Sequence, residues 1–190
     1  MEANIDRAQS LFNQHKYQET IDTCSKILVT DSKEIEALKL IAKSFLAKRE
    51  IENARMYLIK ALHIKPNDYE VIKDLGNTYQ FAGDVNTAKD YYHKAIAINR
   101  SYAPALANLG ALELTTGNNQ EALSLLIKAT ESDPQLAPAW INLAKGYVQL
   151  GKTEEAEISC RKAIKINSSF FNSHFLLGSI LFGQNKLQEA

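Results

Sequence analysis

Apolar positions recur along this chain at steps of three and four, in pairs of segments, and the whole pattern returns every 34 residues. In the fifth cycle Trp140, Leu143, Ala144, Tyr147 and Val148 share one helical face. A polar turn, Gly151-Lys152-Thr153-Glu154-Glu155, interrupts the pattern, and Ala156, Cys160, Ala163 and Ile164 then define a second face. Each cycle therefore predicts two helices joined by a short turn. The register holds from end to end. It carries the series Ala42, Gly76, Gly110, Ala144, Gly178, the series Ala54, Ala88, Ala122, Ala156, Ala190, and the series Ala61, Ala95, Ala129, Ala163. A period of this size marks stacked repeats, because one helix pair cannot bury its own apolar face.

The punctuation agrees with the period. Small residues at fixed places let the two helices of a pair approach closely. Gly83, Gly117 and Gly151 follow the first helix of the middle cycles, where a left-handed residue is easiest for Gly. Pro66 and Pro134 end second helices, while Arg100 and Ser168 stand in the same place elsewhere, which predicts two slightly looser turns.

The residues at these places resemble the tetratricopeptide repeat. Its pattern is a large apolar residue, Leu-Gly, an aromatic, Ala, an apolar residue, Ala and Pro. The third cycle reads Ile72, Leu75, Gly76, Tyr79, Gly83, Ala88, Tyr92, Ala95. The second reads Leu38, Ile41, Ala42, Phe45, Ala54, Leu58, Ala61, Pro66, and the fourth and fifth follow with Leu106 and Trp140 in the leading place. The resemblance implies an all-α, right-handed superhelical solenoid of stacked antiparallel helix pairs. One array spans 1–190, with repeats 1–34, 35–68, 69–102, 103–136, 137–170 and an incomplete 171–190. First helices would line a concave groove, with Trp140 and its counterparts buried between helices. Function does not follow from such a scaffold.

The two ends differ from the middle. Asn4 and Arg7 replace large apolar residues, and Thr20 and Ile27 replace Ala, so the first cycle reads as an N-terminal cap. The sixth begins with Phe175, Leu177, Gly178 and Leu181 and stops at Ala190, where its second helix would start. This is what the leading part of a longer protein would show. Phe175, Leu177, Ile180, Leu181 and Phe182 are then expected to be partly uncovered, with self-association through that helix.

Composition narrows the chemistry. Lysine plus arginine equals aspartate plus glutamate at 22 each, which argues against a nucleic-acid groove. The sequence lacks an 18-residue apolar run and an N-terminal leader pattern, so the expectation is a cytoplasmic protein without a membrane partner. Cys24 and Cys160 occupy equivalent places four repeats apart and are expected to be reduced and buried. His15, His63, His93 and His174 form no metal-binding spacing. Gly151-Lys152-Thr153 lacks the earlier Gly of a phosphate loop. The expectation is no cofactor, no metal and no enzymatic activity. Glu113 stands where Phe45, Tyr79, Tyr147 and Leu181 stand in other cycles. Its stem is expected to pack while its carboxylate reaches solvent, the alternative being a hydrogen-bond acceptor in the groove or between helices.

The predicted groove carries the candidate site. Asp74, Asn108 and Asn142 lie two residues before the small residue of successive first helices. They resemble the Asn/Asp ladder in the repeats of O-linked N-acetylglucosamine transferases, which implies amide contacts to the backbone of an extended peptide. Lys73, Asn77 and Asn108 also match three places of the dicarboxylate clamp for chaperone C-termini, but Pro138 and Asn142 replace its remaining cations, so a full clamp is not expected. The peptide-binding set is Lys39, Lys43, Lys73, Asp74, Asn77, Asn108, Ala111, Asn142 and Lys145. The acids Glu36 and Glu70 lie among the N-terminal cations. Pro104, Ala107, Leu114, Pro138, Ile141, Val148 and Phe175 make the C-terminal half apolar. The expected function is a scaffold that holds a protein or peptide segment. The alternatives are the N-terminal module of a longer glycosyltransferase-like protein and a self-assembling scaffold.

Overall fold

The computed structural model describes residues 4–169 and 171–183; Ala190, the last of the alanine series, lies outside them. Eleven helices and no strand occur among the described residues. They are α1 (Ile5–Asn13), α2 (Tyr17–Thr30), α3 (Ile35–Ala47), α4 (Ile51–Ile64), α5 (Tyr69–Phe81), α6 (Val85–Ile98), α7 (Ala103–Thr115), α8 (Asn119–Ser132), α9 (Ala137–Gln149), α10 (Thr153–Ile166) and α11 (Phe171–Gly183). From α2 onward both helices of every pair repeat their bounds in steps of 34, as the hydrophobic pattern predicts.

The chain forms two compact units, Met1–Ile98 and Asn99–Ala190. In the first, α1 packs on α2 and α3, α3 on α2 and α4, and α5 on α4 and α6. In the second, α7 packs on α8 and α9, α9 on α8 and α10, and α11 mainly on α10. Both units are all-α and consist of consecutive antiparallel helix pairs.

Size compensation at the heart of each pair explains why small residues recur. Ala54, Ala61, Ala88, Ala95, Ala122, Ala129, Ala156 and Ala163 are all fully buried. The small residue of each first helix faces a residue 16 positions on in the second: Ala42 shares a cluster with Leu58, and Ala144 with Cys160. Opposite Tyr92 and Leu126 the first helix carries Gly, although Leu58, equal in size to Leu126, faces Ala42. A Cβ on Gly76 would stand 2.6 Å from Tyr92 Cε1, and one on Gly110 would stand 2.7 Å from Leu126 Cγ. At Gly76 and Gly110 the second-helix side chain therefore takes the space that a Cβ would need.

The turn after each first helix also repeats its geometry. Gly83, Gly117 and Gly151 have φ of 81°, 82° and 71°. His15 and Arg49 occupy the same place in the first two cycles and adopt the same left-handed conformation, at 61° and 62°. All five amides close on the carbonyl three residues back, as Gly83 does on Gln80 and Arg49 on Leu46. The left-handed residue is therefore imposed by the repeat and not by Gly.

Several details depart from the sequence expectations. Leu38, Ile72 and Leu106 are buried, but Trp140 at their place is only half-buried. Its indole N–H donates to Pro134 O at 3.0 Å and Lys162 Nζ sits 4.2 Å from the ring centre, contacts that hold the ring at the surface. Val148 is 42% exposed, outside the face it shares in sequence with Tyr147. Ile180 and Leu181 are buried, because α11 closes on Ala144, Ala156 and Cys160; Leu177 is half-buried, and Phe171, Phe175 and Phe182 are exposed. The turns with Arg100 and Ser168 keep the Asx hydrogen bond that Asp133 makes to the Gln135 amide beside Pro134. Asn99 Oδ1 accepts from the Ser101 amide and Asn167 Oδ1 from the Ser169 amide, both at 3.1 Å, as the side chain of an Asx turn does. Cys24 and Cys160 are free and fully buried, and burial pushes both thiols up to about 11.

Candidate functional site

Residues at steps of one, three and four on the first helices share one face. That face carries Lys39 and Lys43 on α3, Lys73, Asp74 and Asn77 on α5, Asn108 and Ala111 on α7, and Asn142 and Lys145 on α9.

In the first unit this face is an ionic network. Lys39 is buried, and its ammonium donates to Glu36 at 3.0 Å and to Glu70 at 2.5 Å. Burial would lower its pKa, but the hydrogen bonds and charges of Glu70 and Glu36 outweigh that and hold the ammonium above its usual range. Asp68 caps α5 by accepting from the Glu70 and Val71 amides, and Lys65 pairs with its other oxygen at 3.2 Å. Burial pushes this carboxyl up, yet the Val71 amide, Lys65 and the charge of Lys39 together hold it below its ordinary value. Lys73 pairs with Asp74 Oδ1, which also accepts from Asn77 Nδ2 at 3.2 Å. The Tyr92 hydroxyl then shares its proton between Asn77 Oδ1 at 2.9 Å and Gln80 Oε1 at 2.6 Å. Asp74 is 3% exposed, and its second oxygen, Oδ2, has no hydrogen-bond partner. Lys43 is half-buried.

In the second unit the same face carries amides in apolar surroundings. Asn108 and Asn142 are half-buried, at identical places on two helices that pack against each other. Ala107, Ile141 and Leu114 around them are buried, Ala111 is half-buried, and Lys145 is exposed. An amide pair of this kind offers both donors and acceptors, whereas Asp74 offers acceptors only.

The clamp comparison weakens further. Lys73 is paired with Asp74, and Asn77 lies between Asp74 and Tyr92, so both are already engaged within the chain. Glu113 also differs from its expectation: it is 3% exposed and does not reach solvent. Its Oε2 accepts from Asn118 Nδ2 at 2.6 Å and Thr116 Oγ1 at 3.2 Å, which ties the end of α7 to the start of α8. It is the inter-helix acceptor. In earlier cycles the same place holds an aromatic stack, Phe45 on Tyr57 and Tyr79 on Tyr91, and Leu125 replaces the second ring here. The Lys65–Asp68 pair and the Tyr92–Gln80 link were not anticipated from sequence. Asp68, immediately before an apolar helical run, carried the signal of an N-cap.

Among the described residues, no group of three or more His, Cys, Asp and Glu is placed to hold a metal ion. No helix among them is long and apolar enough to cross a membrane.

Comparison with known proteins agrees with this architecture. Residues 82–137 and 113–167 match the family model described as Tetratricopeptide repeat. Tetratricopeptide repeats are thus matched within residues 82–167, and the fold of the chain is that of solved tetratricopeptide repeat proteins. Over 95% of its length it is similar, at TM-score 0.89 and 18% identity, to a chain of the APC/C hetero-tetramer Cut9–Hcn1, of which it covers 36%. TTC0263, a thermophilic TPR protein in Thermus thermophilus, gives TM-score 0.79 at 18% identity, covering 94% of this chain and 97% of that one. YrrB, described as a TPR protein with an unusual peptide-binding site, gives TM-score 0.60 at 23% identity over 90% of this chain and 88% of its own. No curated protein matches the sequence.

Proposed function

We propose that this chain is a scaffold that binds extended protein or peptide segments on the exposed face of its first helices. The carrying observation is the pair Asn108 and Asn142, half-buried at the same register on the packed helices α7 and α9. An extended peptide presents backbone N–H and C=O groups in alternation, and side-chain amides match both. In the first unit Asp74 Oδ2 is an acceptor still lacking a donor, and Lys43 supplies a cation near it in register. The description of YrrB as a TPR protein with a peptide-binding site supports the same reading. Peptides selected from a random display library against the parent chain provide the probe. Asn108→Ala with Asn142→Ala should weaken the selected peptides by roughly 5- to 150-fold, since two neutral hydrogen bonds are lost, and leave the melting temperature unchanged. Unchanged affinity would refute the peptide role, and loss of folding would assign both amides to structure.

A second reading, self-association through α11, is favoured by Phe171, Phe175 and Phe182, which are 77%, 69% and 69% exposed. Replacing all three by Ser should abolish any concentration-dependent rise in mass seen by light scattering. A parent chain that stays monomeric at millimolar concentration would exclude it.

A further inference from the structure

The first unit holds a pocket away from the residues considered so far. It has a volume of about 400 Å³ and is lined by Leu46 and Ala47 at the end of α3, Arg49 in the turn, Ile51 at the start of α4 and Phe81 at the end of α5. One repeat earlier, the places of Leu46, Arg49 and Ile51 belong to Phe12, His15 and Tyr17. Those three rings fill the position themselves: Phe12 and His15 both pack on Tyr17, and His15 Nδ1 is hydrogen-bonded to the Tyr17 hydroxyl at 2.9 Å. With Leu46, Arg49 and Ile51 in their stead the space is open, and Phe81 stands 65% exposed at its edge.

Arg49 is the unexpected member. Its backbone is left-handed, at a place where the next three repeats carry Gly. A side chain there costs conformational energy that Gly would not. Its charge is also uncompensated, since it forms no ion pair with any described residue. The acids nearest to it in sequence are engaged elsewhere, Glu50 with Lys48 at 2.8 Å and Glu52 with Arg55 at 3.0 Å, and Asp84, three residues after Phe81, accepts from the Thr87 amide at 3.1 Å. The pocket thus joins an apolar wall to one free guanidinium, the group best suited to a carboxylate.

We propose that this pocket is a second docking site, which takes an apolar side chain of an acidic peptide segment and pairs the neighbouring carboxylate with Arg49. The size suits one large side chain, at the low end of ligand pockets. Charge complementarity selects an acidic segment over a basic one.

The test is a nuclear magnetic resonance titration of the full chain with acetyl-Glu-Phe-Glu-amide and with acetyl-Lys-Phe-Lys-amide. The acidic peptide should shift the Arg49 side-chain and Ile51 methyl signals, more at low salt, and the basic peptide should not. Arg49→Gly should raise the melting temperature, because it relieves the left-handed backbone, and weaken the acidic peptide by about tenfold or more. Arg49→Lys should retain most of the binding without raising the melting temperature. Phe81→Ser should also weaken binding. The proposal is overturned if the acidic peptide shifts neither signal, if the basic peptide shifts them equally, or if Arg49→Gly binds like the parent. It is also overturned if Arg49→Gly lowers the melting temperature, which would make the guanidinium structural. Shifts of these signals with protein concentration alone would assign the pocket to a second copy of the chain and overturn it too. The residues tested lie outside the amide set, so either site can fail without the other.

Discussion

Gly76→Ala is the substitution that most directly tests the exchange of volume within a helix pair. The new Cβ would lie 2.6, 2.8 and 3.2 Å from Tyr92 Cε1, Cδ1 and Cζ. Ordinary contact needs nearly 1 Å more, so either the ring or the helix must move. The ring is rigid and fully buried, and its hydroxyl is tethered to Asn77 and Gln80. Overpacking of this kind costs ~1–3 kcal/mol, and losing the tethers adds about 0.5–1.5 kcal/mol per hydrogen bond. Against this, Ala is better than Gly in a helix by about 1 kcal/mol. With both tethers lost, the net expectation is a destabilisation of about 1–5 kcal/mol. Truncating the ring relieves it: in Tyr92→Ala the ring atoms that meet the new Cβ are gone, so adding Gly76→Ala to that background should be neutral or stabilising. A double-mutant cycle by urea denaturation, followed by far-ultraviolet circular dichroism, should show a coupling of at least ~1 kcal/mol. If Gly76→Ala alone is as stable as the parent, or the cycle is additive, the volume argument is wrong.

Three further outcomes are expected. Trp140→Ala should cost less than the ~3–5 kcal/mol usual for a buried Trp, and less than Leu106→Ala at the same register, because the indole is half-buried; equal or greater loss in urea melts would contradict this. Asp68 has a lowered pKa, so its stabilisation is present above the unfolded carboxyl value near ~4 and is lost as pH falls through the folded value. Asp68→Asn should therefore be less stable than the parent at pH 7 and approach it in acid, and a stability difference that does not change with pH would refute the linkage. Cys24 and Cys160, buried with thiols pushed up to about 11, should resist iodoacetamide at pH 8 in the native chain and react once it is unfolded in urea; rapid native alkylation would mean that the pairs open readily.

Repetition made the sequence unusually informative about local structure. A 34-residue period in small and apolar residues determines where helices start and stop, since each cycle meets the same neighbours and solves the same packing problem. The bounds of α2 through α11, the buried alanines and the left-handed Gly83, Gly117 and Gly151 were legible for that reason. The register of Asn108 and Asn142 was legible too, because a fixed period assigns a face to every position. Partnership between side chains was not, because it depends on distances across helices that no spacing rule contains. The place of Trp140 in the pattern implied burial, but only the tertiary structure brings Pro134 O and Lys162 to an indole that stays half-buried. Glu113 looked like an acid bound for solvent until Asn118 and Thr116 came within hydrogen-bonding distance. Lys39 and Lys73 read as cations offered to a ligand, and the structure closes them onto Glu70, Glu36 and Asp74. His15 and Arg49 show the limit most plainly: the repeat imposes a left-handed residue after each first helix, and backbone closure, not residue type, enforces it.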